Sequence, residues 1–238
     1  MTDFGGWPSG RGLVILAHGA WVDAGSWSVW SELLDDNGYD AISLEWPGPT
    51  VTFTALVQRI TAAVRSLDRP VILIGHGFGA VACLAMRDRS DVAATIAIAP
   101  VAGGVRGRLE HWKGFSHDGF RHRYAAAESS ADAARLAERF AGPSRVKGWW
   151  PANPRRANPW PAGSGGRRVA PLLLISGGQD VLAPERHVER LERSARRRHR
   201  DAVSDLQVFP RSSHSLVLGS DAEDVAGYVL DWLSRQDL

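Results

Sequence analysis

The residues with chemical capacity in this 238-residue chain fall in three short stretches. An aspartate closes Gly177-Gly178-Gln179-Asp180, a histidine sits within Ser212-Ser213-His214-Ser215-Leu216, and closely spaced glycines form Gly75-His76-Gly77-Phe78-Gly79. A carboxylate beside an imidazole fixes the ring's tautomer and stabilises the imidazolium formed when the ring accepts a proton. Were the fold to bring them together, Asp180 and His214 would suit a general base and its orienting acid. The glycines follow the apolar run Val71-Ile72-Leu73-Ile74 directly, so they mark a very sharp strand-to-helix turn. Backbone N–H groups at such a helix start can hold a developing negative charge. The three stretches together suit proton transfer at a carbonyl, but the middle of the turn, Gly77, offers no nucleophile.

These stretches need a framework, and the hydrophobic pattern supplies one. Leu13-Val14-Ile15-Leu16-Ala17 is a continuous apolar run ending in His18-Gly19, as in a strand covered on both faces. Ser26 can cap a helix carrying Trp27, Trp30, Leu33 and Leu34 at helical spacing, broken at Asn37-Gly38. A strand over 41–44 follows, then a helix opened by Thr52 with Leu56, Ile60, Ala63, Val64 and Leu67 on one stripe, ended by Pro70. The pattern continues as strand 71–74, helix 78–87, strand 93–99, strand 172–176, helix 184–197 and strand 206–209. Ser220 with Glu223 forms a capping box for a last helix that places Val225, Val229, Trp232 and Leu233 on one face. Strands alternating with helices predict an α/β fold built on a doubly wound, mostly parallel sheet of about six strands.

The glycine turn resembles the nucleophile elbow of the α/β hydrolases, G-x-S-x-G, with Gly75 and Gly79 at the outer positions and Gly77 where that family has its nucleophile. His18-Gly19-Ala20-Trp21 resembles the family's oxyanion loop, residues 177–180 resemble its acid-bearing loop, and acid precedes histidine in its order. The resemblance covers nearly the whole chain outside residues 101–168. It implies an α/β-hydrolase fold with Asp180 and His214 as catalytic partners and an oxyanion hole from the backbone N–H of Phe78 and of Ala20 or Trp21. The run at 18–21 followed by Trp27 is similar to the esterase and hydroxynitrile-lyase branch, which implies a lid, no cofactor and a small-molecule substrate such as an ester.

Residues 101–168 stand apart. They have little sustained periodicity and hold thirteen Lys and Arg against five acids, a charge of +8 where the whole chain has +2. We expect one domain, with core 1–100 and 169–238, and 101–168 as a basic lid inserted over the carboxyl ends of the strands. Trp112, Trp149, Trp150 and Trp160 within it are candidate substrate contacts for an anionic or aromatic ligand, since guanidinium groups pair with carboxylates and indoles stack on flat rings. Core packing and scattered surface charge would account for them equally well. His76 is a further candidate for the substrate wall, although its place in the turn suits packing better than service as a second base.

Other readings are weaker. The glycines lack a phosphate loop's Lys-Ser/Thr and the dinucleotide spacing. His111, His117 and His122 match no compact zinc spacing, so no metal is expected. The arginine-rich stretch from Arg186 to Arg200 is interleaved with Glu189 and Glu192, which fits a solvated helix face rather than nucleic-acid binding. One cysteine, Cys83, in an apolar helical stretch excludes an internal disulfide and suits a reducing compartment. No apolar run approaches membrane-spanning length and the first twelve residues lack a leader pattern, so a cytoplasmic protein is expected. Three accounts of Gly77 stay open: a serine replaced by glycine, an enzyme that needs no covalent nucleophile, and a ligand-binding protein on a retired scaffold.

Overall fold

The computed structural model describes residues 11–46, 51–101, 115–142 and 169–238. Six strands, β1 (Gly12–Ala17), β2 (Tyr39–Leu44), β3 (Val71–His76), β4 (Val92–Ile98), β5 (Leu172–Gly177) and β6 (Ser204–Phe209), form one sheet in the order β2-β1-β3-β4-β5-β6. Every pairing is parallel, with Leu13 of β1 opposite Asp40 of β2 on one side and Val71 of β3 on the other. Among the described residues seven helices connect and follow them: α1 (Ser28–Asp36), α2 (Phe53–Arg65), α3 (Phe78–Leu84), α4 (His117–Arg123), α5 (Ser130–Phe140), α6 (Glu185–Arg198) and α7 (Ala222–Arg235).

Alternation along the strands explains why helices cover both faces. Successive side chains of a strand point to opposite sides. Val14, Leu16, Ile72, Ile74, Ile96, Ile98, Leu173 and Ile175 meet Trp27, Trp30 and Leu34 around α1 and Val225, Val229 and Trp232 of α7. Leu13, Ile15, Val71 and Leu73 point the other way, onto Leu56, Ile60 and Val64 of α2 and Ala82 and Cys83 of α3. Leu172 and Leu174 extend that second face onto Val188, Leu191 and Ala195 of α6. Strands buried on two sides must be apolar throughout, which is why β1 and β3 read as unbroken apolar runs.

Local capping departs from the sequence expectation at two places. Thr52 does cap α2, its hydroxyl accepting from the Ala55 N–H at 3.1 Å. Ser26, expected to cap α1, is instead buried and donates to the Asp23 carbonyl at 2.7 Å. Asp23 caps a single 3₁₀ turn, Ala24–Trp27, and α1 starts only at Ser28. At α7 no capping box forms: Ser220 donates its N–H to the Glu128 carboxylate at 3.0 Å, and the N-cap Asp221 accepts from the Ser212 hydroxyl at 2.6 Å. Tertiary partners take the groups that a local cap would use. A third departure lies between β4 and β5, where α4 and α5 occupy a stretch without obvious periodicity.

The strand order locates the functional region. The chain moves from β1 outward to β2, then crosses back to β3 on the other side of β1. Ligands of open α/β sheets bind at the carboxyl ends of the strands where the order reverses. Here that crevice lies between His18-Gly19 after β1 and Gly77 after β3. Among the described residues no helix is long and apolar enough to cross a membrane.

Candidate active site

The turn after β3 needs its outer glycines for space and its central one for conformation. A Cβ on Gly75 would lie 2.6 Å from the Ala80 Cα, and one on Gly79 would lie 2.2 Å from the Ala17 carbonyl oxygen. Both distances are far inside contact range, so a side chain at Gly75 would push α3 off β3 and one at Gly79 would push it off β1. Gly77 differs. Its φ of +56° with ψ of −112° is a conformation that L residues adopt only under strain. A Cβ there nevertheless has room, with His214 Nε2 at 3.4 Å and the Gly19 Cα at 3.6 Å as its nearest neighbours. The Gly77 peptide is held on both sides, its N–H donating to Ile98 O at 2.9 Å and its carbonyl accepting from Val101 N–H at 3.2 Å.

Asp180 and His214 meet although 34 residues separate them. Gly177 and Gly178 permit this, because a Cβ on either would lie 2.5 Å from the carbonyl oxygen of Ser212 or Pro210. The two loops are further joined by Gly178 N–H to Phe209 O at 2.8 Å and Gln179 N–H to Ser212 O at 3.0 Å. His214 Nδ1 lies 2.7 Å from Asp180 Oδ2, with both side chains fully buried. Asp180 Oδ1 accepts from the N–H groups of Leu182 at 2.7 Å and Ala183 at 2.8 Å. A carboxylate can only accept, so Nδ1 carries the proton and Nε2 presents a lone pair. That Nε2 is buried without a hydrogen-bond partner among the described residues, and it faces the open position beside Gly77.

His76 serves the same loop from below. Its Nε2–H donates to the His214 carbonyl at 3.0 Å, and the two rings lie 4.7 Å apart. Burial, reinforced by the nearby His214, holds the His76 pKa well below the usual histidine value. A neutral His76 avoids a second positive charge beside His214 when that ring takes up a proton. His76 thus contacts the His214 backbone. His18 is likewise a packing residue, stacked on Trp46 at 4.4 Å with nearly parallel rings.

Ala20 and Trp21 lie in the loop after β1 and are both buried, and Phe78 opens α3 directly after Gly77. The Trp21 ring stands edge-on to His214 at 6.3 Å and tilted against Phe115 at 5.0 Å. One neighbour was not legible in the sequence: Tyr124, just after α4, is fully buried with its ring edge-on to His214 at 4.9 Å and stacked on Phe120 at 4.5 Å. Burial and the Asp180 carboxylate push its pKa well above the usual phenol value, so it stays protonated. Its hydroxyl has no partner among the described residues. The candidate contacts Trp112, Trp149, Trp150 and Trp160, and His111, lie outside the described residues. His117 begins α4 and His122 is exposed, and among the described residues no cluster of His, Cys, Asp or Glu could hold a metal ion.

Comparison with known proteins bears on the fold and the family. No curated protein matches the chain in sequence. Similar solved structures include the methylesterase MES16 from Arabidopsis, at 18% identity, covering 94% of this chain and 99% of that one with a TM-score of 0.69. The monoacylglycerol lipase of Paleococcus ferrophilus has a TM-score of 0.73 at 19% identity, with 95% of each chain covered. Tomato Methylketone Synthase I complexed with 2-tridecanone has a TM-score of 0.68 at 14% identity, covering 94% of this chain and 98% of that one. At such identities the likeness establishes the fold. Family membership comes from the sequence itself: residues 14–227 match the model of the Alpha/beta hydrolase family, a span holding most of β1, the Gly77 turn, Asp180 and His214, and the chain belongs to that family of hydrolases.

Proposed function

We propose that this chain is an enzyme acting on a small ester or other carbonyl-containing substrate, with His214 as the proton-transfer group, Asp180 as its orienting acid and no covalent nucleophile. The observation that carries this reading is the open position at Gly77, facing a bare His214 Nε2 at 3.4 Å from where a Cβ would stand. A side-chain hydroxyl there would attack the carbonyl; with glycine, water takes that place. His214 Nε2 removes a proton from the water, whose oxygen bonds to the carbonyl carbon while the C=O pair moves onto oxygen. The backbone N–H groups of Phe78 and of Ala20 or Trp21 hold that oxyanion. Collapse expels the alkoxide, which recovers the proton from the imidazolium, and acid and alcohol leave.

A second reading keeps the same groups but lets His214 take a proton from substrate carbon or oxygen, with the enolate held at the same N–H groups. The likeness to Methylketone Synthase I, whose H243A variant is complexed with β-ketoheptanoate, favours β-keto acids as its test compounds. Residues 101–168 are the inserted lid of this reading. The experiment is turnover of short-chain aryl esters and β-keto acids by the chain as written, beside His214→Ala and Asp180→Asn. Turnover that falls at least ~100-fold in both variants supports the reading. Ligand binding without turnover, undisturbed by His214→Ala, overturns it in favour of a binding protein.

A further inference from the structure

The loop that carries His214 is held from three sides, and one side belongs to the segment between β4 and β5. Asp180 fixes Nδ1 and His76 holds the backbone carbonyl. The third hold comes from the turn after α4. Glu128 Oε1 accepts from the Ser215 hydroxyl at 2.5 Å, and its Oε2 accepts from the Ser220 N–H at 3.0 Å. The Ser213 hydroxyl lies 3.1 Å from the Tyr124 carbonyl and 3.0 Å from the Ser215 hydroxyl. The two residues flanking His214 are therefore both bonded to the stretch 124–128, whose Tyr124 ring also lies edge-on against the imidazole.

Counting protons gives the network a direction. Each serine hydroxyl has one proton to donate. The carboxylate of Glu128 is the stronger acceptor and takes that of Ser215. Ser215 Oγ is then an acceptor only, so the Ser213 proton is shared between it and the Tyr124 carbonyl. Gly219 has no Cβ for the same reason that the contact is close: one built there would lie 2.0 Å from Glu128 Oε1. Glu128 is partly exposed, and neither Asp180 nor the Gly77 turn needs it for its own geometry.

We propose that Glu128 is a positioning residue for His214: its carboxylate, bonded to Ser215 and to the Ser220 N–H, clasps the His214 loop to the turn after α4 and so sets the direction of Nε2. The inference rests on His214 being the proton-transfer group. Displacement of such a group by about 1 Å lowers turnover by up to ~100-fold with little effect on binding. Glu128→Ala is thus expected to lower kcat roughly 10- to 100-fold and to change KM less than about twofold. Glu128→Gln keeps an acceptor for Ser215 and is expected to recover most of the loss.

A second readout does not depend on activity. The His214 Nδ1 proton, shared with Asp180, gives a low-field NMR resonance that Asp180→Asn identifies by its disappearance. In Glu128→Ala this resonance is expected to broaden or exchange faster, with the His214 titration displaced, while the circular dichroism spectrum stays that of the parent; Glu128→Gln restores it. An unchanged resonance and titration in Glu128→Ala overturns the proposal. If Glu128→Ala does not fold, Ser215→Ala takes its place in the same comparison with the same two outcomes. Because the resonance is read on the chain as written, absence of turnover on any substrate tells against the function proposed above and leaves this inference to be decided by the spectrum.

Discussion

Three substitutions in the turn after β3 should separate strain from clash. Gly77→Ala places a Cβ at ordinary contact distance, 3.4 Å from His214 Nε2, so its cost is the φ of +56° alone. Strain of that kind costs about 1–3 kcal/mol, and about 2 kcal/mol lowers Tm by roughly 4–8 °C in a domain of this size. Gly77→Ser carries the same strain but adds a hydroxyl one bond beyond that Cβ, within reach of Nε2. That hydrogen bond returns about 1 kcal/mol, leaving Tm about 2–4 °C above that of Gly77→Ala. Gly79→Ala drives its Cβ to 2.2 Å from Ala17 O and 2.5 Å from His18 O, which are backbone atoms of β1 and its exit. Nothing flexible can give way, and the cost is at least ~3 kcal/mol, or ~6–12 °C in Tm. Differential scanning calorimetry of the three variants reads all of this. A Gly79→Ala protein as stable as Gly77→Ala, or a serine variant less stable than the alanine one, would refute the reasoning.

Acidification should destabilise the fold. Burial depresses the pKa of His76 well below 6.5, and burial followed by the Arg190 guanidinium lowers that of His187 to about 4. Between 6.5 and about 4 the unfolded chain binds protons that the folded chain refuses, so Tm falls as pH drops through that window, and His187→Gln should flatten the slope. Arg87 is fully buried and donates to Ala170 O at 2.7 Å, Val203 O at 2.9 Å and the Ser204 hydroxyl at 3.1 Å, joining the starts of β5 and β6. Arg87→Met should cost about 3–5 kcal/mol, read as a lower urea midpoint, by leaving those acceptors unpaired. Cys83, its thiol pushed up to about 12 by burial, should resist iodoacetamide in the native protein at neutral pH and react once urea unfolds it.

What the sequence reveals follows from which forces are local. β1 and β3 are legible because burial on both faces demands unbroken apolar runs, and the Gly77 turn because backbone crowding leaves no substitute for Gly75 and Gly79. The pairing of Asp180 with His214 was legible only through the resemblance, whose acid-then-histidine order they follow. The stretch 115–142 was opaque. α4 spans 7 residues with only Phe120 buried, too short for a period to show. α5 does carry Ala133, Leu136, Ala137 and Phe140 at helical spacing behind the Ser129 cap, but small alanines make a faint stripe. Tyr124 and Glu128 gave no signal at all, since their importance lies in contacts with residues about ninety positions away. Ser26 misled for a related reason: a hydroxyl that reads as a cap is buried against the Asp23 carbonyl.

The central claim, that His214 Nε2 is aimed at the position where this family carries its nucleophile, is tested most directly by fluorophosphonate labelling of three forms. The account predicts no label on the chain as written, stoichiometric label at residue 77 in Gly77→Ser, and none in Gly77→Ser with His214→Ala. A folded Gly77→Ser protein that stays unlabelled would contradict it, as would labelling that persists without His214.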